Sequence, residues 1–315
     1  MDIVIASAAR TAIGAFQGAL APLPAPKLGA AAIRGAVERA GIAATDVDLV
    51  LMGNVLSAGQ GQAPARQAAI HAGLPVSTPT VTLNKMCGSG LETIVQAARA
   101  IAVGDATIVV AGGMESMSNA PYLVPGARGG LRLGDGKLVD SLVHDGLWDA
   151  YEDAHMGSCA ELCAREHAFD RAAQDAFAER SYRRAQEATR SGAAAHEIVP
   201  VEVPGRKGAI TVVDEDEGPW AVKFDRIASL RPAFEKDGTV TAANASTIND
   251  GAAAVVVTSR AEAERRGMPV LASLSGWSSH AQEPARFTTA PLGALRTLFE
   301  RLDWSPDAVD RYEIN

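Results

Sequence analysis

One short run concentrates residue types that do chemistry: Asn84-Lys85-Met86-Cys87-Gly88-Ser89-Gly90. A cysteine thiolate attacks thioesters and other activated carbonyls, and its reactivity depends on how its surroundings set the thiol pKa. Residues 79–83 before it read as a strand, and the Ala-rich pattern over 91–103 after it reads as a helix. Cys87 is therefore predicted on a sharp strand-to-helix turn, at the positive end of a helix, where the dipole favours the thiolate. Gly88 and Gly90 flank Ser89, so the backbone can bend there and a substrate carbonyl can reach its N–H groups. Outside such a context, a lone cysteine is more often a small core residue.

The elements that must position this turn alternate along the first 120 residues. Strands are expected over 3–6, 49–53, 80–83 and 106–111, and helices over 28–40, 63–72 and 91–103, with Gly41, Gly73 and Gly104 as stops. Strands alternating with helices predict an α/β layered fold with a mostly parallel central sheet. The rhythm breaks after residue 118. Pro121, Pro125 and the Gly-rich 126–136 stretch read as loop, followed by helices over 155–169 and 170–191, with Asp170 as the N-cap of the second. The apolar run 252–257 returns to a strand. A second unit then begins with a strand over 271–277, a helix over 292–302 and a short strand over 309–314.

The expected organisation is an N-terminal α/β half over 1–118, an inserted loop domain over 119–243, the end of the first half over 244–268, and the start of a second, incomplete α/β half over 269–315. Ala36–Gly41 with Val47–Val50 resembles Leu298–Leu302 with Val309–Tyr312, which suggests an internal duplication of one α/β unit.

Composition narrows the function classes. The 315 residues are 47% hydrophobic and 21% charged, an ordinary globular balance that fits roughly two domains. Net charge is −8 and no Lys/Arg block occurs, which argues against nucleic-acid and anionic-membrane partners. Cys87, Cys159 and Cys163 suggest no disulfide framework, so a reducing, cytoplasmic setting is expected. The N-terminus reads as a strand rather than a signal peptide, and no apolar run reaches the ~18 residues of a membrane span. His155, Cys159, Cys163 and His167 recur every four residues, but ligands along one straight helix cannot close a tetrahedron around one ion, so no metal site is expected.

Three motifs, in order along the chain, resemble those of thiolases: Asn84-Lys85-Met86-Cys87-Gly88-Ser89-Gly90-Leu91, Ala111-Gly112-Gly113-Met114-Glu115-Ser116-Met117-Ser118 and Asn244-Ala245-Ser246-Thr247-Ile248-Asn249-Asp250-Gly251-Ala252. Arg10-Thr11-Ala12-Ile13-Gly14 and Leu230-Arg231-Pro232-Ala233-Phe234 fit as well, and residues 130–146 with His155-Met156-Gly157 are most similar to the acetyl-CoA C-acetyltransferase branch.

The resemblance implies a duplicated α/β/α/β/α layered fold with an inserted loop domain, whose second half is incomplete here. It implies reversible condensation of two acetyl-CoA to acetoacetyl-CoA, or thiolysis of a 3-ketoacyl-CoA, through an acyl-cysteine at Cys87. Asn315 would hold a water against the enolate oxygen of the second substrate. Ser246 would contact the pantetheine of CoA, with Leu147, His155, Met156 and Phe234 lining the same tunnel. No cofactor is implied, since CoA is substrate and product, and the assembly would be a homo-oligomer, tetramer or dimer, with the 130–146 loop as a contact. The family also uses a His in Gly-His-Pro and a second Cys in Cys-x-Gly, and neither sequence occurs in these 315 residues. The alternative expectation is accordingly a C-terminally truncated, catalytically impaired fragment or an acyl-CoA-binding protein.

Overall fold

The computed structural model describes residues 2–314. It comprises two compact units. The first holds residues 2–146, Gln186–Trp220 and Ile248–Leu274, and the second holds Leu147–Ala185, Ala221–Thr247 and residues 275–314.

The first unit opens with β1 (Ile3–Arg10) and α1 (Ala25–Ala40), then β2 (Leu49–Gly53), α2 (Pro64–His71), β3 (Thr80–Leu83), α3 (Ser89–Val103) and β4 (Ile108–Ser116). The bounds of β2 and β3 are those expected from sequence. Two helices follow, α4 (Met156–Glu166) and α5 (Arg171–Arg190). The chain continues through a hairpin of β5 (Val201–Pro204) and β6 (Ile210–Val213), then β7 (Asn249–Ser259), α6 (Arg260–Arg266), β8 (Ala272–Ser273) and α7 (Ala290–Leu302). The expected cap of α5 is present: Asp170 Oδ1 accepts from Ala173 N at 2.7 Å.

The main sheet runs β8-β1-β7-β4-β2-β3, with Gly14–Ala15 pairing onto β7. It is mixed, which corrects the expectation of a mostly parallel sheet. β2 is parallel to β3 and β4, because α2 and α3 act as crossovers that return the chain to the same edge. β7 has no such constraint. It arrives after the long segment that follows β4 and lies antiparallel to both β1 and β4. Helix α1 packs against α2 and against β1, β4 and β7, and α3 packs against β2, β4 and β7. The α/β layered class holds.

Leu28 and Ile33 of α1, Val50 and Met52 of β2, Val110 of β4 and Val256 of β7 are fully buried in one core. Each such side chain contributes roughly 1.5–3 kcal/mol relative to exposure.

Two expected strands differ. Residues 271–277 contract to β8, whose flanks Leu271 and Leu274 donate to Ile5 O and Ile3 O. Among the described residues β1 is the partner strand there, and the pairing stops at the start of β1. Residues 309–314 form no strand; Tyr312 Oη donates to Pro306 O at 2.7 Å and Val309 N donates to the same oxygen at 3.3 Å. Extended backbone without a neighbouring strand has no ladder to join.

Helix α6 carries a compact charge cluster. Glu262 pairs with Arg265 at 2.6 Å and Arg266 at 2.5 Å, while Arg266 also reaches Asp46 at 2.9 Å. Hydrogen bonds from Arg265 and then Arg266 hold the Glu262 carboxyl at about 2. A depressed carboxyl stabilises the fold above its unfolded pKa of about 4.3, and that stabilisation is lost as pH falls toward 2. Glu262→Gln is expected to lower Tm by roughly 2 °C at pH 7. The gap to wild type should close between about pH 4.5 and 2 in thermal melts; a gap that persists at pH 2 would show that the side chain acts through packing.

Candidate active site

Cys87 sits on the turn between β3 and α3, two residues before the first helical residue, and its thiol is free and exposed. The turn is closed by its own hydrogen bonds. Asn84 Oδ1 accepts from Met86 N at 2.9 Å, Gly88 N donates to Lys85 O at 3.1 Å, and Ser89 N donates to Met86 O at 3.0 Å. The buried Ser89 hydroxyl accepts from Lys85 N at 2.8 Å and donates to Met86 O at 2.5 Å. Met86 is thereby held at φ 49°, in the left-handed region that costs a non-glycine residue roughly 1–2 kcal/mol. This strained residue directly precedes the thiol.

Backbone contact beneath the turn requires glycine. A Cβ on Gly53, at the end of β2, would lie 2.6 Å from Ser89 Cβ and 2.8 Å from Ser89 C. The first turn of α3 thus rests directly on the strand end. Beside it, Lys85 Nζ meets Glu92 Oε2 at 2.6 Å, and this contact keeps the Glu92 carboxyl below its usual range. The Lys85 ammonium is therefore already neutralised next to Cys87. Glu115, at the end of β4, ties down the segment after β2 by accepting from Asn54 Nδ2 at 2.7 Å, Val55 N at 2.8 Å and Leu56 N at 3.1 Å. Burial pushes its carboxyl up, against the pull of the two N–H groups.

Four of the residues assigned by resemblance to the CoA tunnel come together in the second unit. Met156 N donates to Leu147 O at 2.8 Å. The His155 ring stacks on Phe234 with centroids 4.9 Å apart and 23° between planes. His155 does not begin the helix as expected but caps it: its Nδ1 accepts from Gly157 N at 2.9 Å, so the proton of the neutral ring sits on Nε2. Burial lowers its pKa and favours that neutral form. Ser246 is exposed and lies twelve residues after Phe234 on the same loop segment. Asn315 lies outside the described residues.

Cys159 is buried on α4, where burial raises its thiol pKa, and His167 stacks on Phe169 with centroids 5.9 Å apart. Among the described residues, no group of three or more His, Cys, Asp or Glu is arranged to hold a metal ion. Sequence reasoning missed Gly53 and Glu161. Gly53 ends an apolar strand like many glycines, and nothing in Ala160-Glu161-Leu162 distinguishes this carboxylate from an exposed one.

Residues 3–261 match the family model described as thiolase, N-terminal domain. The chain is 51% identical over 315 residues to an acetyl-CoA acetyltransferase of Pseudomonas aeruginosa and 52% identical over 315 residues to one of Schizosaccharomyces pombe. Both alignments cover 100% of this chain and 80% of the relative. A relative from Gibberella zeae, named as a cytosolic acetyl-CoA acetyltransferase, is 48% identical over 314 residues, covering 99% of this chain and 79% of its own. With its cysteine turn, its mixed sheet and this likeness along its whole length, the chain belongs to the thiolase family.

Proposed function

We propose that the protein is an acyltransferase that joins two acetyl-CoA molecules reversibly into acetoacetyl-CoA, with Cys87 carrying the acyl group. The observation that carries this reading is the free, exposed thiol on a strained, hydrogen-bonded turn before a helix N-terminus. The names of the relatives supply the substrate class.

In the first step the Cys87 thiolate attacks the thioester carbonyl of acetyl-CoA, an acyl–sulfur bond forms, and CoA leaves as its thiolate. Exchange of one thioester for another is nearly balanced in energy, which suits a cysteine better than a serine. The Cys87 N–H would donate to the developing oxyanion; one such donor is worth on the order of 10²–10³ in rate. In the second step the α-carbon of another acetyl-CoA gives up a proton to a base and forms a carbon–carbon bond to the acetyl carbonyl, and the acyl–sulfur bond breaks to release the Cys87 thiolate. The proposal assigns Cys87 the acyl transfer, Leu147, His155, Met156, Phe234 and Ser246 the CoA contacts, and Asn315 the enolate. It assigns no base for the α-carbon, because no Gly-His-Pro or Cys-x-Gly sequence is present.

A cytoplasmic homo-oligomer, tetramer or dimer, completes the reading. Support comes from the cytosolic Gibberella zeae relative, from the exposed Leu131, Leu133 and Leu138 on one loop, and from the exposed Leu91 and Val103 on α3. Among the described residues no helix is long and apolar enough to cross a membrane. No cofactor enters the scheme.

Incubation with acetyl-CoA followed by peptide mass analysis tests the reading. One acetyl group is expected on the peptide containing Cys87, with one CoA released per chain. Acetylation confined to other residues, or none, would overturn it.

A further inference from the structure

Glu161 lies in the middle of α4 and is 1% exposed. A carboxylate removed from water must be compensated by charge-assisted hydrogen bonds or a cation. Its donors come from one short stretch of chain. Thr239 N lies 2.9 Å from both carboxylate oxygens, Val240 N lies 2.7 Å from Oε1, and Thr239 Oγ1 lies 3.1 Å from Oε2. Gly238 permits this approach, since a Cβ there would sit 2.2 Å from Glu161 Oε1.

The stretch belongs to a strap over residues 233–246. On one side, Ala233 N donates to Val240 O at 2.9 Å, which fixes the residue before Phe234. On the other, Thr241 N donates to Asn244 Oδ1 at 2.7 Å, Asn244 Nδ2 donates to Asp175 Oδ1 at 2.8 Å, and Ala245 N donates to Thr241 O at 2.9 Å. Ser246 is the next residue, and it is exposed. A buried ion is seldom retained for stability alone, because an apolar side chain of the same volume fills the space without the desolvation cost. What only a carboxylate does here is accept from two consecutive N–H groups and a hydroxyl at once, which sets the strap in one conformation.

We propose that Glu161 is a positioning residue for acyl-CoA: it fixes the 233–246 strap, and through it the Phe234 ring and the Ser246 hydroxyl, without touching substrate. This rests on the proposed function, which assigns those two side chains to the CoA tunnel.

The test is single-turnover acylation of Cys87 in the full chain as a function of acetyl-CoA concentration. Glu161→Gln keeps the volume but turns an NH₂ group toward the donors. The half-saturating concentration is expected to rise about tenfold while the rate at saturation stays within about twofold. Ser246→Ala should show a rise of the same kind, and the rise in the double variant should fall well short of the product of the two single rises, since part of the Glu161 effect passes through the Ser246 contact. If Glu161→Gln loses its cooperative melt, Thr239→Ala carries the test, deleting one donor at a half-buried position, with an expected rise of about threefold. A rise in Ser246→Ala with none in the Glu161 or Thr239 variant overturns the positioning role alone. Additive rises overturn it too, because Glu161 would then act elsewhere. No rise in Ser246→Ala overturns the Ser246 assignment on which the proposal stands.

Discussion

Cys87→Ala is expected to remove acyl transfer altogether, a loss on the order of 10⁴-fold or more in the rate of CoA release from acetyl-CoA. The thiol is the only group on the exposed turn that can form and break an acyl bond at neutral pH. Lys85, its basic neighbour, is held by Glu92 at 2.6 Å. Cys159→Ala serves as the matched control. That thiol is buried on α4, and burial drives it toward the protonated form. Its removal should leave CoA release within about twofold of wild type, at a stability cost of about 1 kcal/mol. Thermal melts of Cys87→Ala should overlay those of wild type, because an exposed side chain on a turn contributes little packing. Retention of more than a tenth of the CoA release in Cys87→Ala would mean that another nucleophile carries the acyl group.

Gly53→Ala is expected to give the second largest effect, from a residue that never meets substrate. The added methyl would lie 2.6 Å from Ser89 Cβ and 3.0 Å from Gly90 N, so the start of α3 must move. Ser89 closes the turn through Lys85 N and Met86 O, so the displacement passes directly to Cys87. Misplacement of a reacting group by about 1 Å costs on the order of 10² in rate. Overpacking should lower stability by roughly 1–3 kcal/mol. Gly129→Ala, where a Cβ meets nothing within 4 Å, should change neither quantity. Acylation at wild-type rate by a folded Gly53→Ala protein would show that the turn does not depend on its seat against β2.

The sequence made some of this legible because local patterns carry it. Leu49–Gly53 and Thr80–Leu83 are short apolar runs with turn residues at each end, and the strands begin and end there. The cysteine turn was readable because residue type, flanking glycines and the change from strand to helix pattern coincide within seven positions. Non-local pairing was not readable. An apolar run such as Ala252–Val257 has the same appearance whether its neighbours are parallel or antiparallel. Residues 309–314 have strand-like composition but no partner strand among the described residues. His155 reads as a first helical residue until its imidazole is seen accepting the Gly157 N–H. Glu161 was invisible for the same reason, since its meaning lies in Thr239 and Val240, nearly eighty positions away.

The antiparallel placement of β7 has a consequence for synthesis. β1 is made first and β4 about a hundred residues later, yet the two meet only through β7, which is made last of the three. Until Asn249–Ser259 leaves the ribosome, both flanking strands expose unsatisfied edges and apolar faces, so the sheet closes late and across a long sequence separation. From the completion of β4 until β7 emerges, the nascent chain carries an open half-sheet whose edge can pair with another chain.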